Sequence, residues 1–408
     1  MKPVHFYFLL LSLLTACQSP SNGTLKDPLF ETQTVNALDS LFRTAIDRKE
    51  IPGVVALIAK EGEIVYHKAL GESDVVHGKA QTTEDIFRLA SMTKPITAVA
   101  ALMLYEEGKF QLDDLLSQHI PAFRDPQILD SIDLVDSSFT AHRAENEITI
   151  RQLFTHSSGI GYGFQDEKLM AVFEKAGITE GFEERDISLQ DNVLNIAKMP
   201  LLHEPGDRFT YGLSTDVLGY LVELWSGMPL DVFFRDKIFV PLGMKDTYFY
   251  LPEEKYDRLT KVYMSAAGGI VETDYPLIHY PIRGAKRYLS GGADLNGTAH
   301  DYYLFCQMLL NKGTLNGARI LQSETVELMA STHLETGDED MGLGVGIVSA
   351  KTDDKAKPRS VGSYSWGGFF TTTFWIDPKE ELIAILLLQL YPFEDWAIQE
   401  AFERIIYE

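Results

Sequence analysis

Cysteine is nearly absent. Cys17 and Cys306 are the two in 408 residues, so no disulfide framework holds this fold. Cys306 lies in the apolar stretch Tyr302-Tyr303-Leu304-Phe305-Cys306 and reads as a small buried hydrophobe rather than a reactive thiol. Positive charge is also scarce: 36 Lys and Arg stand against 59 Asp and Glu, a net charge of -23 at pH 7. Affinity for nucleic acid comes from cations that neutralise phosphates, so the balance excludes that partner and fits an acidic, solubilising surface. Histidines and carboxylates show no ligand spacing such as His-Glu-x-x-His, and neither a P-loop nor a complete Gly-x-Gly-x-x-Gly occurs. No metal and no cofactor is implied. The apolar run at 6–14 is too short to span a bilayer.

That run follows Lys2 and reads as an export signal. The residues Leu14-Thr15-Ala16-Cys17 resemble the bacterial lipobox, in which a lipidated cysteine becomes the first mature residue. Several acyl chains hold a protein on a membrane stably. The expectation is a signal peptide at 1–16, lipidated Cys17 with a polar tether over 17–30, and one folded domain at 31–408. The product would be an exported bacterial lipoprotein, membrane-anchored and facing the periplasm or the cell exterior. A simple signal peptide cut after Ala16 is the alternative.

No repeat or Pro-rich linker divides the chain after the tether. Two short apolar runs flank Glu61-Gly62 within 53–69, the pattern of a β-hairpin. From Ser91 the pattern changes. Ile96, Val99, Ala100, Met103 and Leu104 recur at three and four positions, the period of a helix buried on one side, with Ser91 at its start. From 112 to 310 mostly helical segments and loops follow, including 216–224 and 300–310. Short β-rich runs return at 342–348, 371–376 and 382–388, and a helical pattern closes the chain at 394–406. The expected fold is α/β (α+β): one sheet shared by the N- and C-terminal segments, flanked by helices, around a mostly helical middle lobe.

A serine hydroxyl needs a base within reach to act as a nucleophile at neutral pH. Helical positions three apart share a face, so Ser91-Met92-Thr93-Lys94 presents Lys94 beside Ser91. Burial or a neighbouring cation makes a lysine a candidate base, and a helix N-terminus favours negative charge developing at the serine. This Ser-x-x-Lys occurs once in the chain. The Ser-His-Asp design is disfavoured because no Gly-x-Ser-x-Gly elbow is present, and His156 reads as a loop organiser.

At these residues the sequence resembles the serine β-lactamase and penicillin-binding-protein superfamily, on the class C β-lactamase-like side, whose Ser-x-x-Lys opens the catalytic helix. Ile150-Arg151-Gln152-Leu153-Phe154-Thr155-His156-Ser157-Ser158-Gly159, Glu204-Pro205-Gly206 and Leu289-Ser290-Gly291-Gly292 are similar to recurrent segments of that family. The resemblance implies a β-lactamase/transpeptidase-like fold with an antiparallel sheet. It also implies that Tyr211, in Phe209-Thr210-Tyr211-Gly212-Leu213, stands beside the nucleophile as base and proton shuttle. Lys94 and Tyr211 would titrate as a coupled pair, with the proton assigned to neither.

Two departures bear on substrate. Leu213 occupies a position where related β-lactamases often carry Asn, and Trp366-Gly367-Gly368 takes the place of a Lys-Thr-Gly strand. The family lysine helps bind a substrate carboxylate, whereas tryptophan offers an apolar face and one N–H donor. Trp366-Gly367-Gly368 resembles the segment found in β-lactamase-like carboxylesterases, which implies neutral esters as substrates. Leu213, Trp366, Gly367 and Gly368 are the expected substrate-binding residues, and the N–H groups of Ser91 and Phe369 the expected oxyanion hole. Three functions follow from these residues: an esterase on a small-molecule ester or amide, a β-lactamase or D-amino-acid peptidase, and a non-catalytic membrane-tethered binding protein on the same scaffold.

Overall fold

The structure is a computed structural model that describes residues 32–266, 268–273, 275–336, 340–352, 358–391 and 397–408. The expected signal peptide, tether and Cys17 lie outside the described residues. Eight strands form one antiparallel sheet: β1 (Gly53–Lys60), β2 (Glu63–Asp74), β3 (Lys79–Ala80), β4 (Asp340–Met341), β5 (Gly346–Ile347), β6 (Tyr364–Gly368), β7 (Thr372–Asp377) and β8 (Leu382–Leu387). Their order is β4-β5-β6-β7-β8-β1-β2-β3, so the two ends of the chain meet where β8 pairs with β1. The shared sheet is the expected one.

The run Gly53-Val54-Val55-Ala56-Leu57-Ile58-Ala59 is apolar throughout because β1 is buried on both faces. Val55, Leu57 and Ala59 join the larger core, while Val54, Ala56 and Ile58 join a second core on the opposite face. β8 alternates in the same way, with Ile383, Ile385 and Leu387 on one side and Leu382, Ala384 and Leu386 on the other. The turn between β1 and β2 places Glu61 and Gly62 at φ of 52° and 80°. Positive φ at both central residues is the two-residue hairpin geometry whose twist matches the strands, and glycine makes the second position strain-free.

The second core is closed by the terminal helices α1 (Thr32–Asp47) and α5 (Ala397–Tyr407), through Leu38, Phe42, Phe402 and Ile406. The other face carries α2 (Thr93–Glu106), α3 (Ser214–Ser226) and α4 (Ala299–Leu310). α2 departs from the expected one-sided helix. Every residue from Thr93 to Leu102 is buried, because α2 packs along α3 inside the larger core, to which the sheet also contributes.

Three other differences have local causes. The 342–348 run is strand only at Gly346–Ile347 (β5); 342–345 form the turn joining β4 to β5, with Gly344 tucked against α2. The middle region contains two hairpins, Gln127–Asp133 with Ser138–Arg143 and Tyr263–Ala266 with Gly269–Glu272, that its pattern does not announce. Most of their residues are at least partly exposed, so little apolar alternation is required. α1 is a further addition to the expected elements, although Leu38, Phe42 and Ala45 have helical spacing.

Phe402 anchors α5 with ring centroids 5.8 Å from Phe42 and 5.5 Å from Trp375. Phe402→Ala is expected to cost about 3–5 kcal/mol, read as a lowered urea midpoint with little change in slope.

Candidate active site

Ser91 lies in the 3-10 turn Ala90–Met92 that feeds α2. Ala90 has φ 48°, a left-handed conformation that a residue with a Cβ adopts only when its surroundings enforce it. The surroundings do so from both sides of the turn. The Tyr302 hydroxyl donates to Met92 O at 2.9 Å, the Leu295 N–H to Thr93 Oγ1 at 3.0 Å, and Thr97 Oγ1 to Gly291 O at 2.6 Å. Ser91 is thereby held half-exposed at the edge of a cavity while Lys94, one turn on, is fully buried.

The three residues expected to act together do converge. Tyr211 Oη donates to Ser91 Oγ at 2.6 Å, and Lys94 Nζ reaches the same oxygen at 3.2 Å. Lys94 Nζ also donates to Gly292 O at 2.8 Å and Tyr162 Oη at 3.1 Å, and sits 4.7 Å from the Tyr211 ring centroid. Three acceptors match the three donors of an ammonium, so its burial leaves no donor unpaired.

Tyr162 is an addition to the expected site, and it stands three residues beyond the recurrent segment that ends at Gly159. Burial, then the proximity of Tyr211 and Asp216, holds its phenol well above the ordinary value, so it stays protonated beside Lys94. The Gly292 carbonyl is the other added partner. Its loop is fixed by two buried carboxylates: Asp216 Oδ1 accepts from Ser290 Oγ at 2.5 Å and from Tyr288 Oη at 3.0 Å, and Asp294 Oδ2 accepts from the Ser290 N–H at 3.1 Å. The second oxygen of Asp294 accepts from the Phe182 N–H at 2.7 Å, tying the cavity wall to that loop. Burial raises both carboxyls, Asp294 to about 8.

His156 is buried behind Tyr211. Its ring lies 5.1 Å from Tyr211 and stacks on Trp366 at 6.0 Å with an 11° interplanar angle. Burial, reinforced by the Lys94 charge, pushes its pKa down to about 3. A neutral, packed imidazole in that place orients Tyr211 and Trp366 rather than accepting a proton from Ser91.

The cavity in front of Ser91 has a volume of about 720 Å³. Gly367, Gly368 and Phe369 form one edge, and Phe164, Phe182, Tyr275 and Tyr391 much of the wall. A Cβ on Gly368 would stand 2.3 Å from Leu89 O, so only glycine lets this strand end lie against the turn that carries Ser91. Ser91 and Phe369, the two residues expected to supply backbone N–H groups, therefore border the same space.

Two expected binding residues are not at the cavity. Leu213 is fully buried in the larger core at the start of α3 and faces packing partners instead of substrate. Trp366 is half-buried against His156 and Tyr211, so it contacts the site through Tyr211 and is not among the residues that line the wall. Arg185 is the one Lys, Arg or His among the described lining residues, and its guanidinium is engaged by Glu183 at 2.5 and 2.8 Å. Among the described residues no group of three or more His, Cys, Asp or Glu side chains is arranged to hold a metal ion.

Comparison with known proteins gives a consistent result. The family profile described as Beta-lactamase matches residues 38–407. Esterase EstB of Burkholderia gladioli is 32% identical over 368 residues, covering 86% of this chain and 89% of its own. Protein Rv1367c of Mycobacterium tuberculosis is 30% identical over 366 residues, covering 86% and 88%. The structure of EstCE1, described as a hydrolase with promiscuous acyltransferase activity, superimposes with a TM-score of 0.79 at 27% identity, covering 92% of this chain and 98% of that one.

The displaced pKa of His156 makes a measurable demand on stability. Unfolded, the imidazole takes up a proton near its ordinary value of about 6.5; folded, it does so only near 3. Protonation thus favours the unfolded chain, and the contribution is complete above about pH 6.5 and declines as pH falls toward 3. His156→Gln is expected to show a shallower loss of urea midpoint between pH 7 and pH 5 than the wild type.

Proposed function

The chain belongs to the Beta-lactamase family and is a serine hydrolase, and from that premise we propose that it is a carboxylesterase acting on neutral esters through an acyl-enzyme at Ser91. The observation that carries this reading is the placement of Ser91 Oγ. It receives Tyr211 at 2.6 Å and Lys94 at 3.2 Å, at the edge of a largely apolar cavity whose one described lining cation is already paired.

In the proposed reaction the Lys94–Tyr211 pair starts one proton short of an ammonium and a phenol together; Ser91 Oγ attacks the ester carbonyl and the serine proton fills that place. The carbonyl oxygen, now negative, is received by the N–H groups of Ser91 and Phe369. The C–O bond to the alcohol breaks, the leaving oxygen takes the proton from the pair, and the acyl group remains on Ser91. Water then attacks the acyl carbon and gives a proton to the pair, the bond from that carbon to Ser91 Oγ breaks, the pair returns the proton to Oγ, and the carboxylic acid leaves. Tyr162 and Gly292 O keep Lys94 in place throughout. The promiscuous acyltransferase activity ascribed to EstCE1 supports an acyl-enzyme of this type that also yields to an acceptor other than water.

Neutral esters are favoured over β-lactams and D-amino-acid peptides because those substrates carry a carboxylate, and the described lining residues offer no uncommitted cation to meet it. Gly367 and Gly368 remain in the proposed binding edge; Leu213 does not, and Trp366 is proposed to act by positioning Tyr211. We also propose that the chain is exported and anchored through a lipid on Cys17, which the Leu14-Thr15-Ala16-Cys17 segment supports.

Ser91→Ala is expected to abolish turnover of a short-chain 4-nitrophenyl ester and acyl adduct formation seen by mass spectrometry. Tyr211→Phe and Lys94→Met should each lower kcat by about 10²–10⁴. Near-normal turnover by Ser91→Ala would refute the nucleophile; lasting penicillin adducts with negligible ester turnover would move the substrate to β-lactams. For the anchor, Cys17→Ala is expected to shift the exported protein from the membrane fraction to the soluble fraction.

A further inference from the structure

Glu180 lines the cavity beside Ser91 and is held in an unusual way for a carboxylate. It accepts hydrogen bonds from the backbone N–H groups of Gly163 and of Phe164, the latter at 3.2 Å, and from no cationic side chain among the described residues. It shares the cavity lining with Tyr162 and Tyr275. Burial, uncompensated by any cation among the described residues, lifts its pKa to about 7. Glu184 is also in the lining, and Glu183 is paired with Arg185.

Much of the rest of the lining is aromatic and continuous. Phe369 stacks on Tyr391 at 3.9 Å, meets Phe182 at 5.8 Å and Phe164 at 6.1 Å, and Tyr391 meets Tyr275 at 5.2 Å. Phe164 remains about half exposed at 49%, so part of this aromatic surface is not consumed by packing. Aromatic faces attract cations, and substituted ammonium groups are recognised by such rings combined with a carboxylate. A neutral acyl chain would use the rings and leave the Glu180 charge unanswered; an anion would be repelled by it.

We propose that this cavity selects esters bearing a substituted ammonium group, held between Glu180 and the aromatic wall of Phe164, Phe182, Phe369 and Tyr391. The inference rests on the esterase reading for its reaction and narrows the substrate from esters without a carboxylate to those that also carry a cation, ranked above neutral ones. Glu180 is then a specificity-determining residue: it touches the distal cation and takes no part in moving the proton of Ser91. The acidic balance of the whole chain, -23, works in the same direction by raising the local concentration of cations.

The test uses isosteric pairs that differ in charge alone. The 4-nitrophenyl esters of 4-(trimethylammonio)butanoate and of 5,5-dimethylhexanoate are compared as substrates, and choline and 3,3-dimethylbutan-1-ol as unreactive ligands by calorimetry. The cationic member of each pair is expected to be preferred by about tenfold or more, the kinetic preference appearing mainly in KM. Glu180→Gln should bring both ratios close to one, and Phe164→Leu, which keeps apolar volume but removes the ring, should lower them severalfold. A purely structural Glu180 would change both members of a pair alike and leave the ratio intact. Equal or reversed preference in the wild type, or an unchanged ratio in both variants, overturns the proposal. If neither ester is turned over but choline binds better than its uncharged isostere in a Glu180-dependent way, the esterase reading has failed and the cation site stands.

Discussion

A fully buried lysine is costly unless each of its donors is answered, and much of the architecture around Ser91 answers Lys94. One acceptor is the nucleophile itself, one is the Tyr162 phenol, and one is the Gly292 carbonyl. The last of these comes from a loop 198 residues away in sequence. That loop is in turn fixed by Asp216 from α3 and by Asp294, whose other oxygen holds the Phe182 N–H of the cavity wall. The charge on one side chain therefore organises the nucleophile turn, the tyrosines and the wall into a single connected set.

The second organising feature is the dual burial of the central strands. β1 and β8 supply side chains to two cores at once, so the sheet cannot shift register without exposing both. This rigidity reaches the site through β6 and β7. Their hairpin brings Gly368 against Leu89 O, and Thr372 Oγ1 donates to the same carbonyl at 3.2 Å, fixing the strand end relative to Ser91. The strained backbone at Ala90 persists because the turn is held from the sheet, from α4 and from the Leu295 segment together.

What is legible in the sequence follows from local rules. The Glu61-Gly62 hairpin, the sheet shared by the chain ends and the Ser91–Lys94 spacing are short-range patterns or motif matches, and the structure contains each of them. Tyr162, Glu180 and the Gly292 carbonyl are not legible as site groups because their roles depend on where distant loops meet. Leu213 and Trp366 show the converse. Motif position marks both as substrate contacts, yet one turns into the core at a helix start and the other packs behind Tyr211. A motif match fixes the neighbourhood of a residue, whereas side-chain direction is decided by which neighbours offer an apolar surface.

The packing of α1 against α5 has a practical meaning for the molecule as an object with two handles. Phe42 and Phe402 touch in the core on the far side of the sheet from α2, so both helices at the ends of the described fold lie on the face turned away from the nucleophile helix. A fluorophore or a partner domain joined to α1 at Thr32 or to α5 at Tyr407 would be attached to helices that pack on the sheet face opposite the core containing α2.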